Sequence, residues 1–314
     1  MKTASLTAAA LMVWPAFAQA EAVTVQSCDR SITFPETPQA AVSNDVNITE
    51  MMLVLGLREH MIGYTGISAW RTLDPEMRSG VAELPELSTI YPTREVLVGA
   101  GADFLFAGWN YGLKVGGEVT PATLEPFGIT VYELTESCTH IMDKPKASLD
   151  DMYNDIRNLG AIFRVPERAD ALIAGWQAEV ELLTAEVDTT DPIKAFVYDS
   201  GEDSPFTAGR YAMPTALIEA AGGSNVMDSF EKSWATVGWE EVIDAAPEVI
   251  VIVNYGEVTA DQKRAFMMNN PAFADIPAVV NDNFVTLEYV EATPGPRNIA
   301  AIGKLANAFA VADR

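Results

Sequence analysis

Pro166-Glu-Arg-Ala-Asp-Ala-Leu-Ile-Ala-Gly-Trp-Gln-Ala-Glu-Val-Glu-Leu-Leu-Thr-Ala-Glu-Val187 decides how the rest of the chain reads. Ala169, Leu172, Ile173, Trp176, Val180, Leu183 and Val187 recur at helical spacing. Pro166 takes a first-turn position, where its missing N–H costs little. At 1.5 Å per residue the stripe predicts a helix of ~33 Å, about the width of a lobe. A shorter stripe precedes it. Ser148 and Asp151 make a Ser-x-x-Asp helix start, followed by Leu149, Met152, Tyr153, Ile156, Leu159 and Phe163. Asp188-Thr-Thr-Asp-Pro192 ends the segment. The spacing predicts an interlobe helical backbone over 148–191, between an α/β lobe at 21–147 and another at 192–314.

On either side, β-rich runs alternate with helical stretches. The runs are 60–67, 102–109 and 128–134 in the first half, and 194–200, 248–255 and 283–289 in the second. Such alternation argues for parallel sheets covered by helices. The halves also echo each other. Glu95-Val-Leu-Val-Gly-Ala-Gly-Ala-Asp103 precedes one apolar run, and Glu240-Glu-Val-Ile-Asp-Ala-Ala-Pro-Glu248 precedes another. Trp109 and Tyr255 stand at the far ends of these runs. The expected fold is α/β: two Rossmann-like lobes with parallel sheets, joined by one long rigid helix and facing each other across a cleft. Ligands in open α/β sheets sit beyond the carboxyl ends of the strands.

Composition narrows the function. The 314 residues carry 44 acidic and 20 basic side chains, a formal charge of −24. That balance repels nucleic acid and anionic lipid. Two His and two Cys are too few for a multi-histidine zinc site, a zinc ribbon or an iron–sulfur cluster. There is no Gly-x-Ser-x-Gly elbow, no His-Glu-x-x-His and no phosphate loop. Gly99-Ala-Gly101 precedes a strand instead of following one, so it is no dinucleotide fingerprint. An enzyme is not expected, nor is a resident cofactor or metal.

Residues 1–20 read as a cleaved secretory signal: Lys2, then an apolar stretch over 4–17, then Ala18-Gln19-Ala20. Its removal takes away one base and no acid, leaving −25. The mature chain is expected in the periplasm and not inserted in a membrane. In an oxidising compartment Cys28 and Cys138 most simply form a disulfide. The rival reading, Cys138-Thr139-His140 as part of a metal site, offers two ligands without a third.

Several segments, in this order, resemble the periplasmic substrate-binding proteins of ABC importers for iron–siderophores, cobalamin and haem. They are Thr49-Glu-Met-Met-Leu-Val-Leu-Gly-Leu57, 95–109, Ser204-Pro-Phe-Thr-Ala-Gly209, Ala220-Ala-Gly-Gly-Ser-Asn225, 240–253 and Asn270-Pro-Ala-Phe-Ala-Asp-Ile-Pro-Ala-Val279. The resemblance implies a monomer with modest closure around a metal chelate. An iron–siderophore complex is the first choice, a corrinoid or haem the second. It also implies an ABC permease with its ATPase as partner, docked through one acid per lobe. Glu95 and Glu240 match those acids, with Glu241 one position away. On their own, such residues would simply favour the helix dipole.

Tyr91, Trp109, Tyr198, Trp234 and Arg297 match positions where cobalamin-binding members present their pocket. Trp70, Tyr111, Arg210 and Tyr211 join them as aromatic or basic residues at segment ends. Aromatic rings suit a large, flat ligand, and Arg suits carboxylate or phosphate groups.

Overall fold

A computed structural model describes residues 21–69, 73–185, 187 and 190–312. The signal-like segment 1–20 and Trp70 lie outside the described residues. All six apolar runs form strands, with ends displaced by no more than two residues: most are trimmed, and the run at 194–200 starts one residue earlier, at Ile193. The first sheet runs Glu86–Ser88, Met61–Thr65, Ala41–Asn44, Phe104–Trp109, Thr130–Glu133, every neighbour parallel. The second runs Gly223–Asn225, Ile193–Tyr198, Val249–Asn254, Phe284–Glu288, again all parallel. In both sheets the chain starts at an interior strand, winds outward to one side, then returns to the other. Each sheet therefore has a topological switch point. One lies between Ala41–Asn44 and Phe104–Trp109, the other between Ile193–Tyr198 and Val249–Asn254.

Helices cover both faces, so the long central strands are largely apolar and their period of two shows only in where each side chain goes. Phe104 and Phe106 enter the inner core, which runs on into the second half, while Leu105, Ala107 and Trp109 enter an outer one. In the second sheet Val249, Val251 and Val253 face inward; Phe196, Tyr198, Ile250 and Ile252 face outward.

The echo between halves extends to single atoms. Asp103 accepts from the backbone N–H groups of Gln39 (2.8 Å) and Ala40 (2.9 Å), and Glu248 accepts from that of Lys194 (2.8 Å). Each acid thus ties the start of one switch-point strand to the start of the other.

Two helices make the connector, Leu149–Ile162 and Pro166–Leu183, with Arg164 at φ 62° in the turn. Ser148 and Asp151 form the capping box that their spacing predicts. At Gly160 the helices touch: a Cβ there would lie 2.5 Å from Ala169 Cβ. The second helix begins on the first lobe, where Arg168 Nε donates to Val54 O at 2.9 Å. It ends on the second, where Leu183 packs beside Gly303. It is shorter than its apolar stripe, about 27 Å at 1.5 Å per residue. Thr184 follows it, with its hydroxyl bonded back to Val180 O, a local bond that competes with helix continuation. Val187 lies beyond the helix, against Gly222.

Cys28 and Cys138 form a disulfide with Cα atoms 5.3 Å apart. It fastens the turn of the hairpin Val23–Ser27/Arg30–Phe34 to the 3₁₀ segment Thr135–His140. Closing a loop of 110 residues is worth roughly 4–5 kcal/mol by chain entropy. Among the described residues, no helix is long and apolar enough to cross a membrane.

Candidate ligand-binding cleft

The two switch points face one another. Residues just past the strand ends, Asn110, Tyr111, Asp199, Tyr255 and Tyr289, line one cavity of about 290 Å³. Tyr91, His140, Phe206, Ser233, Trp234 and Thr293 complete most of its wall. A second cavity of about 420 Å³ shares Tyr255 and Tyr289 and adds Val46, Asp74, Met77, Asn254, Glu288 and Arg297. The rings of Tyr255 and Tyr289, 5.1 Å apart, partition the two. A hollow of about 530 Å³ beside the connector, lined by Ser148, Tyr153, Gln177 and Glu219 among others, lies away from the strand ends.

Local structure explains how these side chains reach the cleft. Asn110 has φ 66°, a left-handed conformation that Asn tolerates. There the chain folds back, with Asn110 N–H donating to Leu113 O at 2.9 Å. Tyr111 then lies beside the Trp234 indole of the opposite lobe, and burial pushes its phenol well up in pKa. The Tyr91 hydroxyl donates to Asn110 O at 2.9 Å. The Asn110 amide stands 3.2 Å from His140 Nε2. Burial lowers the His140 pKa, which favours its neutral form. Trp234 stacks on Phe206 at 5.7 Å and 20°, both carried by a short antiparallel pair. Behind Tyr255, Lys263 Nζ donates to Val253 O (2.7 Å) and Tyr255 O (2.8 Å). Burial lowers this ammonium's pKa.

Bonds between the lobes flank the cavities. Arg297 meets Glu50 at 2.7 Å and Asp74 at 2.5 Å. Asn47 Nδ2 donates to Pro294 O at 2.7 Å, and Met213 N–H donates to Glu136 Oε1 at 3.0 Å. Burial raises the Glu50 pKa although Arg297 opposes it. At Asp74 burial also acts upward, but the Met77 amide and Arg297 together hold the carboxyl below its ordinary value.

Of the residues singled out from sequence, Tyr91, Tyr111 and Trp234 line the first cavity, and Arg297 lines the second. Trp109 points into the outer core and donates its indole N–H to Glu133 Oε1 at 2.9 Å. Tyr198 points into the other outer core, 5.5 Å from Trp239. Arg210 pairs with Glu231 at 3.2 Å. Tyr211 donates its backbone N–H to Lys232 O at 3.0 Å. Neither Arg210 nor Tyr211 lines the two cavities. Asn110, His140, Asp199, Phe206, Ser233 and Thr293 carry no sequence signal that marks them as cleft residues. Tyr255 and Tyr289 do, since each follows an apolar run.

Glu95 and Glu240 are each the second residue of a seven-residue helix, Arg94–Ala100 and Trp239–Ala245. Both are exposed. Each helix leads into a switch-point strand, so its N-terminus lies at the strand carboxyl ends, on the cleft side. Glu95's own backbone N–H, with Thr93 and Arg94, lowers its pKa. Glu241, also exposed, accepts from Gly238 N–H at 2.9 Å as part of the helix cap.

Residues 123–290, more than half of the chain, match the family described as periplasmic binding protein. The chain is 24% identical over 219 residues to the vitamin B12-binding protein of Pectobacterium carotovorum, covering 68% of this chain and 71% of the relative. Among solved structures, a periplasmic binding protein from Veillonella parvula superposes with a TM-score of 0.82 at 26% identity, covering 94% of this chain and all of that one. An ABC-type Fe3+-hydroxamate transport protein from Saccharomonospora viridis shares the fold, with a TM-score of 0.77 at 22% identity over 91% of this chain and 98% of that one.

Proposed function

Because the chain belongs to the periplasmic binding protein family, whose members bind solutes and catalyse no reaction, we propose that it captures a metal chelate between its lobes and delivers it to an ABC permease. One observation carries the reading: six aromatic side chains, drawn from both lobes, converge on a single cavity. Aromatic walls give contact area at low entropic cost. The chelate is an iron–siderophore complex in the first instance. The vitamin B12-binding relative supports a corrinoid as the alternative. Pockets for drug-sized ligands run ~300–1,000 Å³, so a bulky chelate needs both cavities and a displaced Tyr255–Tyr289 partition.

On this reading residues 1–20 direct the chain to the periplasm, where it works as a monomer. The lobes are 21–147 and 192–314, hinged on 148–191. Glu95 and Glu240 dock on basic residues of the permease, and a separate ATPase supplies the energy. Paired charges on the two lobes fix orientation and speed encounter. Titration with a ferric trihydroxamate, cyanocobalamin and haem, followed by Trp fluorescence, tests the ligand. Quenching by one of them is expected, and silence from all three would remove the assignment. Charge reversal at Glu95 and Glu240 should abolish uptake and leave ligand affinity unchanged; surviving uptake would refute the docking role.

A further inference from the structure

We infer, building on the reading of the cleft as the chelate site, that the Cys28–Cys138 disulfide positions the cleft as well as stabilising the fold. It holds one short segment on which a contact between the lobes and part of the ligand wall both depend. The segment is the 3₁₀ run Thr135–His140. Three of its side chains do three different things. Glu136, 1% exposed, reaches the second lobe, where its Oε1 accepts from Met213 N–H at 3.0 Å. Cys138, two residues on, carries the disulfide. His140, two further on, lines the first cavity.

The run needs support from outside itself. 3₁₀ hydrogen bonds have poor geometry, and runs beyond about three or four residues are uncommon; this one has six. Its surroundings tie it to the helix Leu149–Ile162 on both sides. Thr135 N–H donates to Asp155 at 3.1 Å, and Lys144, just beyond the run, pairs with Asp151 at 2.6 Å. Between them Ser137 Oγ accepts from Trp109 N–H at 2.9 Å. Past Cys138 the chain turns on that residue, whose carbonyl accepts from both Ile141 and Met142 N–H at 3.0 Å. The turn that carries His140 therefore pivots on Cys138. The other end of the disulfide is well anchored. Ser27 and Arg30, on either side of Cys28, both donate to Glu133 Oε2, at 2.9 and 2.6 Å, and Gln26 O accepts from Asn158 of the same helix at 3.2 Å. Cys28 is thus fixed to sheet and helix, and the disulfide passes that constraint to Cys138. Loop closure in the unfolded chain would stabilise the fold wherever two cysteines met. The place where these two meet is what links the bond to the cleft. Without it the ligand would have to order the run as it bound, and affinity would fall.

Amide hydrogen exchange tests the inference without any ligand. The proteins compared are oxidised wild type, the double variant Cys28→Ala/Cys138→Ala, and wild type reduced with dithiothreitol. The reagent gives the disulfide two electrons and two protons and closes into its own cyclic disulfide; Cys28 is half-buried. Without the disulfide, the Met213 N–H is expected to exchange at least about tenfold faster although it belongs to the opposite lobe, and so are those of Ile141 and Met142. The strand Phe104–Trp109 is expected to keep its protection. So is the Ala147 N–H, which also crosses the lobes, to Arg210 O at 3.0 Å, but lies beyond the Lys144–Asp151 tie. Unchanged exchange at Met213 overturns the inference. Faster exchange everywhere together also overturns it, by assigning the disulfide to stability alone. Reduced wild type decides where the double variant does not fold. Affinity for a ferric trihydroxamate or cyanocobalamin, whichever oxidised wild type binds, is expected to fall at least about tenfold in the disulfide-free protein, and an equal affinity overturns the inference while leaving the chelate reading standing. If oxidised wild type binds neither probe, the chelate reading falls, and exchange at Met213 decides the tie between the disulfide and the lobe contact by itself.

Discussion

The hydroxyl of Tyr289 donates to Asp45 Oδ2 at 2.8 Å, from the second lobe to the first. Asp45 uses Oδ1 to accept from Val46 N–H at 2.7 Å, at the start of the helix Val46–Val54. One carboxylate therefore joins a helix start to the contact between lobes. Because the Tyr289 ring walls both cavities, a ligand that shifts the ring also shifts this bond.

Tyr289→Phe keeps the ring and removes the bond. The expected cost is about 1 kcal/mol of stability, with a larger radius of gyration for the unliganded protein in small-angle scattering. An unchanged radius would mean that the bond does not hold the lobes together.

Arg297→Met leaves Glu50, only 8% exposed, without its guanidinium partner. Burial already raises the Glu50 pKa against Arg297's opposition, so the variant raises it further. An acid with a raised folded pKa contributes stability in full below its unfolded value and loses it as pH rises through the folded one. The deficit relative to wild type should thus widen with pH, reaching about 3 kcal/mol at pH 8 and shrinking toward pH 5. Urea denaturation at several pH values checks this; a deficit independent of pH contradicts it.

Glu136 and Asp155 behave alike on a larger scale. Burial lifts Glu136 to about 8, with the Met213 amide opposing. Burial lifts Asp155 to about 7, against hydrogen bonds from Thr135 and Tyr132. Both contributions to stability are complete below the ordinary carboxylate range and disappear as pH rises through about 7 and then about 8. Thermal stability should fall between pH 5 and pH 9, and Glu136→Gln should flatten the upper part of that fall. A profile that Glu136→Gln leaves unaltered would show that Glu136 is ionised at neutral pH.

The parallel strands are legible in the sequence because burial on both faces makes them continuous apolar runs. Glu86–Ser88, Gly223–Asn225 and Ala41–Asn44 are exceptions, the last although it sits at the first switch point. It is four residues long and ends in polar Ser43 and Asn44. Their partners, the hydroxyls of Thr49 (2.8 Å from Ser43 Oγ) and Thr65 (2.9 Å from Asn44 Oδ1), appear only when the chain is folded. The same limit governs the cleft. In an all-apolar strand nothing says which face meets which layer, so Trp109 and Tyr198 look equivalent to Tyr111 and Tyr255 until parity sends their rings outward. His140 is visible in sequence as a metal-ligand candidate. Its place in the cavity wall follows from the Cys28–Cys138 bond, which fastens its segment to the hairpin.

On the proposed reading, aromatic side chains from both lobes grip one ligand together. Calorimetric titration of the chelate that binds wild type, repeated with Tyr111→Ala in the first lobe and Tyr255→Ala in the second, tests it most directly. Each variant is predicted to keep its fold by circular dichroism and to lose at least about tenfold in affinity, the 1.4 kcal/mol expected of one buried ring. Wild-type affinity in both variants would contradict the claim.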